Sequence, residues 1–193
     1  MTSLICHSSR KSLTRVNSLS HFFTVDQYPF LRPIQEAWKD ILEEYKRAVA
    51  IKPDSGMVTE GLVWPWPEKQ LYNQGWKSIG LVYKGRDDYF YTQKVKEMMP
   101  LTNSLVRKVP RVYIAGFSIL EPNTIIYPHV GYTNDVLRSH LGLITPKGAY
   151  IEVEGERMEW EQGKMFVFDD MLEHNAYNGS NEERVILMID FYK

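Results

Sequence analysis

The chain has 193 residues, 44% of them apolar, which suits one domain with a sizeable core and excludes a disordered chain. Its 23 basic and 24 acidic residues leave a net charge of −1, so there is no electrostatic case for a nucleic-acid or membrane-surface partner. The single cysteine, Cys6, excludes an intrachain disulfide and points to a reducing, cytoplasmic compartment, and no apolar run reaches the ~18 residues that a membrane helix needs.

In chain order, residues 1–25 carry Arg10, Lys11 and Arg15, six serines and no acid before Asp26. That composition resembles an organelle transit peptide. The preferred reading is an irregular arm lying on a single domain of residues 26–193. Over 32–49, Ile34, Trp38, Ile41, Tyr45 and Val49 recur at three- and four-residue spacing, with charged residues on the other face, and Pro33 suits a first turn. The spacing predicts an amphipathic helix. Residues 52–75 are rich in Pro and Gly around Trp64-Pro65-Trp66-Pro67, which excludes a regular helix or a central strand. A long loop is expected there, serving as a lid or pocket wall. A strand is expected at 77–84, and a short helix after Pro100 with Leu101, Leu105 and Val109 inward.

From residue 111 the pattern changes. Segments 111–120, 124–128, 135–145, 149–153, 156–160, 164–168 and 184–192 are short and rich in Val, Ile, Tyr, Phe and Leu, with Gly, Pro, Asn or Asp between them. Glu154-Gly155 reads as a hairpin turn. Closely spaced strands of this kind predict a mainly β (α+β) domain, an antiparallel sandwich or barrel over about 111–193, with supporting N-terminal helices.

Of five histidines, His7 and His21 fall in the arm, and His129, His140 and His174 fall in the β core. His129 ends one strand, and His174 follows another 45 residues later. Two imidazoles at strand ends can meet across a sandwich mouth and hold a first-row metal. On spacing alone, a hydrogen-bonded core histidine is the competing reading. Arg138 and His140 are two apart and share a strand face, with Leu137, Ser139 and Leu141 on the other. A basic pair flanked by leucines calls for an anionic partner. Arg184 opens an apolar strand, as a solvated strand end or as a carboxylate clamp.

Phe117-Ser118-Ile119-Leu120, Pro128-His129-Val130-Gly131, Thr133-Asn134, Leu137 to Leu143, Trp160-Glu161-Gln162-Gly163-Lys164, Phe168-Asp169-Asp170, Glu173-His174 and Arg184 follow one another in an order and spacing that resembles the aspartyl/asparaginyl β-hydroxylase signature. The resemblance covers roughly 111–191; before it, only Trp76 has an equivalent. It implies a double-stranded β-helix (jelly roll) with His129 and His174 as iron ligands. Ser118 and Arg184 would hold the distal carboxylate of 2-oxoglutarate. His140 and Arg138 would lie beside its metal-bound end or a substrate carboxylate. The implied cofactors are Fe(II), 2-oxoglutarate and O2. The implied activity is hydroxylation of an unactivated carbon in a small-molecule or amino-acid substrate.

The usual carboxylate ligand two residues after the first histidine is replaced by Gly131, as it is in the family resembled. An open position there also admits chloride and hence a halogenase, and an aspartate at 131 would be tolerated if water fills it. Asp135, Asp169 and Asp170 are the carboxylates nearby in sequence, each with a turn-forming alternative. Asn123 stands for a turn glycine and Met171 for a serine. Val136 stands where animal members carry a second, peptide-binding arginine. The chain also stops at Lys193, short of a Trp-His-Pro tail, so a peptide substrate is not the expectation. A non-catalytic jelly-roll binding module is the reading from a different class.

Overall fold

The computed structural model describes residues 20–51, 62–88 and 90–193. Most of the N-terminal arm and the first part of the Pro/Gly-rich segment lie outside these residues. So do Cys6 and His7.

Eleven strands among the described residues form two sheets. The N-terminal part supplies β1 (Phe23–Thr24), α1 (Arg32–Glu36), α2 (Trp38–Val49), β2 (Trp64–Pro65), β3 (Trp76–Val82), α3 (Phe90–Met98) and α4 (Pro100–Arg107). The β core follows as β4 (Val112–Leu120), β5 (Thr124–His129), β6 (Val136–Ile144), β7 (Ala149–Val153), β8 (Glu156–Glu159), β9 (Met165–Phe168), β10 (His174–Asn178) and β11 (Arg184–Tyr192). The large sheet runs β1-β9-β6-β11-β4-β3-β2 and the small one β5-β10-β7-β8, with every pair antiparallel. Counting β4–β11 as eight, strands one, three, six and eight share one sheet, and two, four, five and seven the other. That alternation is a double-stranded β-helix, the jelly roll expected from the sequence.

Burial explains why the strands read as they do. β11 is Arg-Val-Ile-Leu-Met-Ile-Asp-Phe-Tyr and buried almost throughout, because helices cover one face of the large sheet and the small sheet covers the other. Leu187 and Ile189 pack outward against α1, α2 and α4, while Ile186 and Met188 point between the sheets. β7 instead alternates, with Ala149, Ile151 and Val153 inward, because its other face meets solvent. Glu154 and Gly155 both have positive φ, 46° and 77°, as a two-residue type I′ hairpin requires.

The expected 32–49 helix is two helices that break at Ala37. Ile34, Ile41 and Tyr45 are buried as expected, but Val49 is exposed and Ala48 takes its place in the core. In α4 the inward face is Thr102, Val106 and then Val109, whereas Leu101 is exposed. The cause lies in α2. Glu44, 3% exposed, accepts hydrogen bonds from the N–H groups of Leu101 and Thr102 (2.9 and 2.8 Å) and from the Thr102 hydroxyl (2.6 Å). A buried carboxylate thus caps the α4 N-terminus and turns Thr102 inward. Residues 20–25 of the arm lie on the domain: Phe22 is buried and β1 adds an edge to β9. No described helix is long and apolar enough to cross a membrane.

Candidate active site

β5 ends and β10 begins at the same place. His129 and His174 are direct cross-strand partners, with ring centroids 4.3 Å apart. Each ring is fixed by its own backbone. Nδ1 of His129 lies 2.8 Å from the Tyr127 carbonyl, and Nδ1 of His174 lies 2.8 Å from that of Leu172. A carbonyl only accepts, so Nδ1 carries the proton in both rings and Nε2 keeps its lone pair. Burial, then His129 and Arg138, pull His174 down to about 3, so it is neutral at physiological pH.

His140 sits between the sheets with the opposite tautomer. Trp160 Nε1, a donor only, lies 3.4 Å from its Nδ1, which leaves the proton on Nε2. Its ring meets Phe168, which also packs on His174, so an aromatic side chain stands between the two histidines. Burial, with the Arg138 and Arg184 charges behind it, holds His140 well below the ordinary imidazole range.

Arg184 is 1% exposed. Nη1 donates to the Ser118 carbonyl (3.0 Å) and approaches the Ser118 hydroxyl (3.4 Å), and the Trp160 ring lies 4.5 Å from the guanidinium carbon. Nε is buried without a partner, and no carboxylate among the described residues pairs with this charge. Burial alone draws it down to about 9. Trp76 Nε1 donates to the Ser118 hydroxyl at 3.1 Å, which explains why the resemblance reached back to Trp76.

Arg138 found the anionic partner that its sequence context called for, and found it inside the protein. Asp190, opposite it on β11, takes Nε and Nη2 in a fork at 2.7 and 2.8 Å. Asp170 Oδ1 lies 2.5 Å from Nη1 without the alignment of a hydrogen bond. These carboxylates keep the guanidinium charged against the cost of burial.

The same Asp170, 1% exposed, reaches the histidine mouth: Oδ1 is 3.4 Å from His174 Nε2. Its carbonyl accepts from the Gly131 N–H at 2.7 Å. A Cβ at residue 131 would overlap Asp170 Oδ2 and lie 2.6 Å from its Cγ. The position is therefore not open to a side chain. The expectation that an aspartate at 131 would be tolerated is corrected: the space is filled by the carboxylate of Asp170. Asp135 is exposed and bonded to Thr133, and Asp169 turns outward to Lys193 (2.6 Å). Val136 is buried in the sheet. Sequence reasoning missed Asp190, which lies six residues after Arg184 in an otherwise apolar strand; that inward-facing period-two position was its only signal.

The profile of the Aspartyl/Asparaginyl beta-hydroxylase family matches residues 35–193. The chain belongs to this family. It is 29% identical to the human aspartyl/asparaginyl beta-hydroxylase over 95% of its own length and 24% of that protein's. It is 42% identical to the ornithine lipid ester-linked acyl 2-hydroxylase of Rhizobium tropici over 49% of this chain and 34% of that one. It is 43% identical to the mouse aspartate beta-hydroxylase domain-containing protein 2 over 40% of this chain and 24% of that one. The chain thus spans a quarter to a third of these relatives. Among solved structures, a predicted oxalate decarboxylase from Thermotoga maritima superposes with a TM-score of 0.48 at 12% identity, over 70% of this chain and 96% of that one.

Proposed function

We propose that the chain is an iron(II)- and 2-oxoglutarate-dependent dioxygenase that hydroxylates an unactivated carbon, with release of succinate and CO2. The observation that carries this reading is Arg184, a fully buried guanidinium with an unpartnered Nε, in the same sandwich as two tautomer-fixed imidazoles. A buried cation without a counter-ion is costly unless an anion arrives to pair with it.

The residues fit the groups they would hold. His129 and His174 offer neutral Nε2 donors suited to iron. His174 Nε2 and Asp170 Oδ1 lie 3.4 Å apart, so a cation at this mouth would meet both a nitrogen and an oxygen donor. Arg184 and the Ser118 hydroxyl would take the distal carboxylate of the keto acid, and the Nε2–H of His140 is a donor for its other end. The iron and keto acid together supply the oxidising chemistry. The protein holds the cosubstrate, fixes the imidazoles through Tyr127 and Leu172, and excludes water by packing Phe166, Phe168 and Trp160 around the site.

Asp170 also weighs against the halogenase reading. A carboxylate in the Gly131 space repels chloride, where an empty space would admit it. The relatives' names mention aspartyl and asparaginyl groups in one case and an ester-linked acyl group in another.

The test is anaerobic titration of Fe(II) and 2-oxoglutarate, followed by oxygen-dependent succinate formation. Binding of both, and succinate only with oxygen, is expected. A protein that binds neither is the non-catalytic module instead.

A further inference from the structure

Beside the histidine mouth lies a cavity of about 760 Å3, in the range that holds a drug-sized molecule. Its origin is a run of small residues on the inward face of the large sheet. Ser78 and Gly80 of β3 stand opposite Ser118 and Gly116 of β4, where the rest of that face carries Phe166, Phe168 and Ile186. Ser78, Gly80 and Gly116 line the space. Trp64, Trp66, Ile114, Tyr132 and Met188 wall it.

Two contacts tie this cavity to the site. Met188 is the cross-strand partner of His140. Trp66 stacks on Trp76 at 4.2 Å, and Trp76 in turn lies 6.4 Å from the His129 ring and donates to Ser118. The cavity wall thus adjoins the residues around the mouth through Met188 and the Trp66–Trp76 stack.

The charges say what it is not built for. Glu68, the acid in the wall, accepts from the Trp66 indole at 3.3 Å, and Lys84 stands exposed over the Tyr83 ring. Among the described residues no arginine lines the cavity. Arg138 is already paired with Asp190 and Asp170, and Arg184 faces Ser118. An aspartyl carboxylate would find no unspent guanidinium there, whereas indole, thioether and aliphatic walls reward burial of hydrocarbon.

We infer that this cavity takes the hydrocarbon body of the substrate, an acyl-type chain, and presents one of its carbons to the His129/His174 mouth. As a substrate site it rests on the oxygenase reading above.

The experiment titrates N-acylglycines of increasing chain length, from butanoyl to tetradecanoyl, into the full chain and follows binding by calorimetry. Affinity should rise about threefold or more per added methylene, then level off once the cavity is full. Ser78→Phe, which fills the floor, should flatten the series, with a thermal melt showing that the variant folds. Trp64→Ala, at the exposed rim, is the second variant and should weaken the long chains several-fold. Affinity that does not depend on chain length overturns the inference. So does a series untouched by both variants, or an aspartyl peptide that binds more tightly than any acyl chain. Arg184→Ala separates the two readings: it should weaken 2-oxoglutarate binding about 30-fold or more and leave the acyl series unchanged. Chain-length dependence in a protein that binds neither iron nor 2-oxoglutarate would leave the hydrocarbon site standing and overturn the oxygenase reading alone.

Discussion

Replacing Arg184 by methionine should have two opposite effects, and their combination is specific to a carboxylate clamp. The charge is fully buried, and burial pulls its pKa from the ordinary arginine range down to about 9. At 1.36 kcal/mol per pH unit that is equivalent to roughly 5 kcal/mol, an upper bound that relaxation reduces to about 2–4. The guanidinium stays protonated at any ordinary pH, so the cost is borne throughout. Methionine keeps similar volume and removes that cost. It also loses the bond to the Ser118 carbonyl, worth about 1 kcal/mol. The net is a gain of about 1–3 kcal/mol for the cosubstrate-free protein, or several degrees in Tm for a domain of this size. In the presence of 2-oxoglutarate the order reverses. Loss of a desolvated arginine–carboxylate pair costs about 2–5 kcal/mol of binding, at least roughly 30-fold in Kd. Differential scanning fluorimetry with and without 2-oxoglutarate reads both effects. If Arg184→Met lowers the Tm of the free protein by several degrees, or if 2-oxoglutarate stabilises wild type and variant equally, Arg184 is a structural strand-end residue and the reasoning fails.

His129→Ala or His174→Ala should abolish iron binding while circular dichroism stays unchanged, because both rings sit at a strand-end mouth; His140→Ala should retain iron, since its Nδ1 is occupied by Trp160. Glu44→Ala should cost about 2–4 kcal/mol by chemical denaturation, since it leaves three donors of α4 unsatisfied in the interior, with no change in cosubstrate affinity. Gly131→Asp should lose activity and lower the Tm, and Asp170→Gly in the same chain should recover the Tm by vacating the overlapped space; an undiminished Tm in the single variant would refute the overlap.

An antiparallel sandwich or barrel was legible because most of its strands are built from residues that fit a pleated, half-buried surface, with turn residues between them; the family resemblance narrowed it to a jelly roll. Six of the eight core strands follow that rule, and β8 (Glu-Arg-Met-Glu) follows the Glu154-Gly155 turn. The remaining strand, β10, reads His-Asn-Ala-Tyr-Asn and gave no such signal. Its inward residues are there for bonding and for the site: His174 at the mouth, and Asn178, whose side-chain N–H groups donate to the carbonyls of Leu120, Glu121 and Glu182. α3 (Phe90–Met98) went unseen, since no pattern read from the sequence placed a helix there. Within the site, the spacing of residues and the family resemblance together picked out both mouth histidines and the buried arginine. They left the partner of Arg138 unnamed. Cross-strand register makes Asp190 that partner, and the β11–β6 register depends on the bulge at Val185/Ile186, which single-sequence patterns do not reveal.

The charges of the site bear on how the two proposed occupants would bind. Arg138 and Arg184 contribute two positive charges, and Asp170 and Asp190 two negative ones, while burial keeps His140 and His174 neutral. The protein's own groups therefore sum to about zero. A divalent cation alone would leave two uncompensated positive charges in a buried space, and a dianion alone two negative ones; together they restore neutrality. Low local dielectric makes either half-filled state costly. Metal and 2-oxoglutarate should consequently bind with positive coupling, of order 1–3 kcal/mol, and thermodynamic linkage requires the same factor in both directions. Anaerobic titration of 2-oxoglutarate with and without Mn(II) as a redox-silent probe, followed by the reverse titration, measures both factors. An increase of fivefold or more, equal in the two directions, is expected. Indifference of each to the other would mean that the arginines and the histidine mouth are not one site.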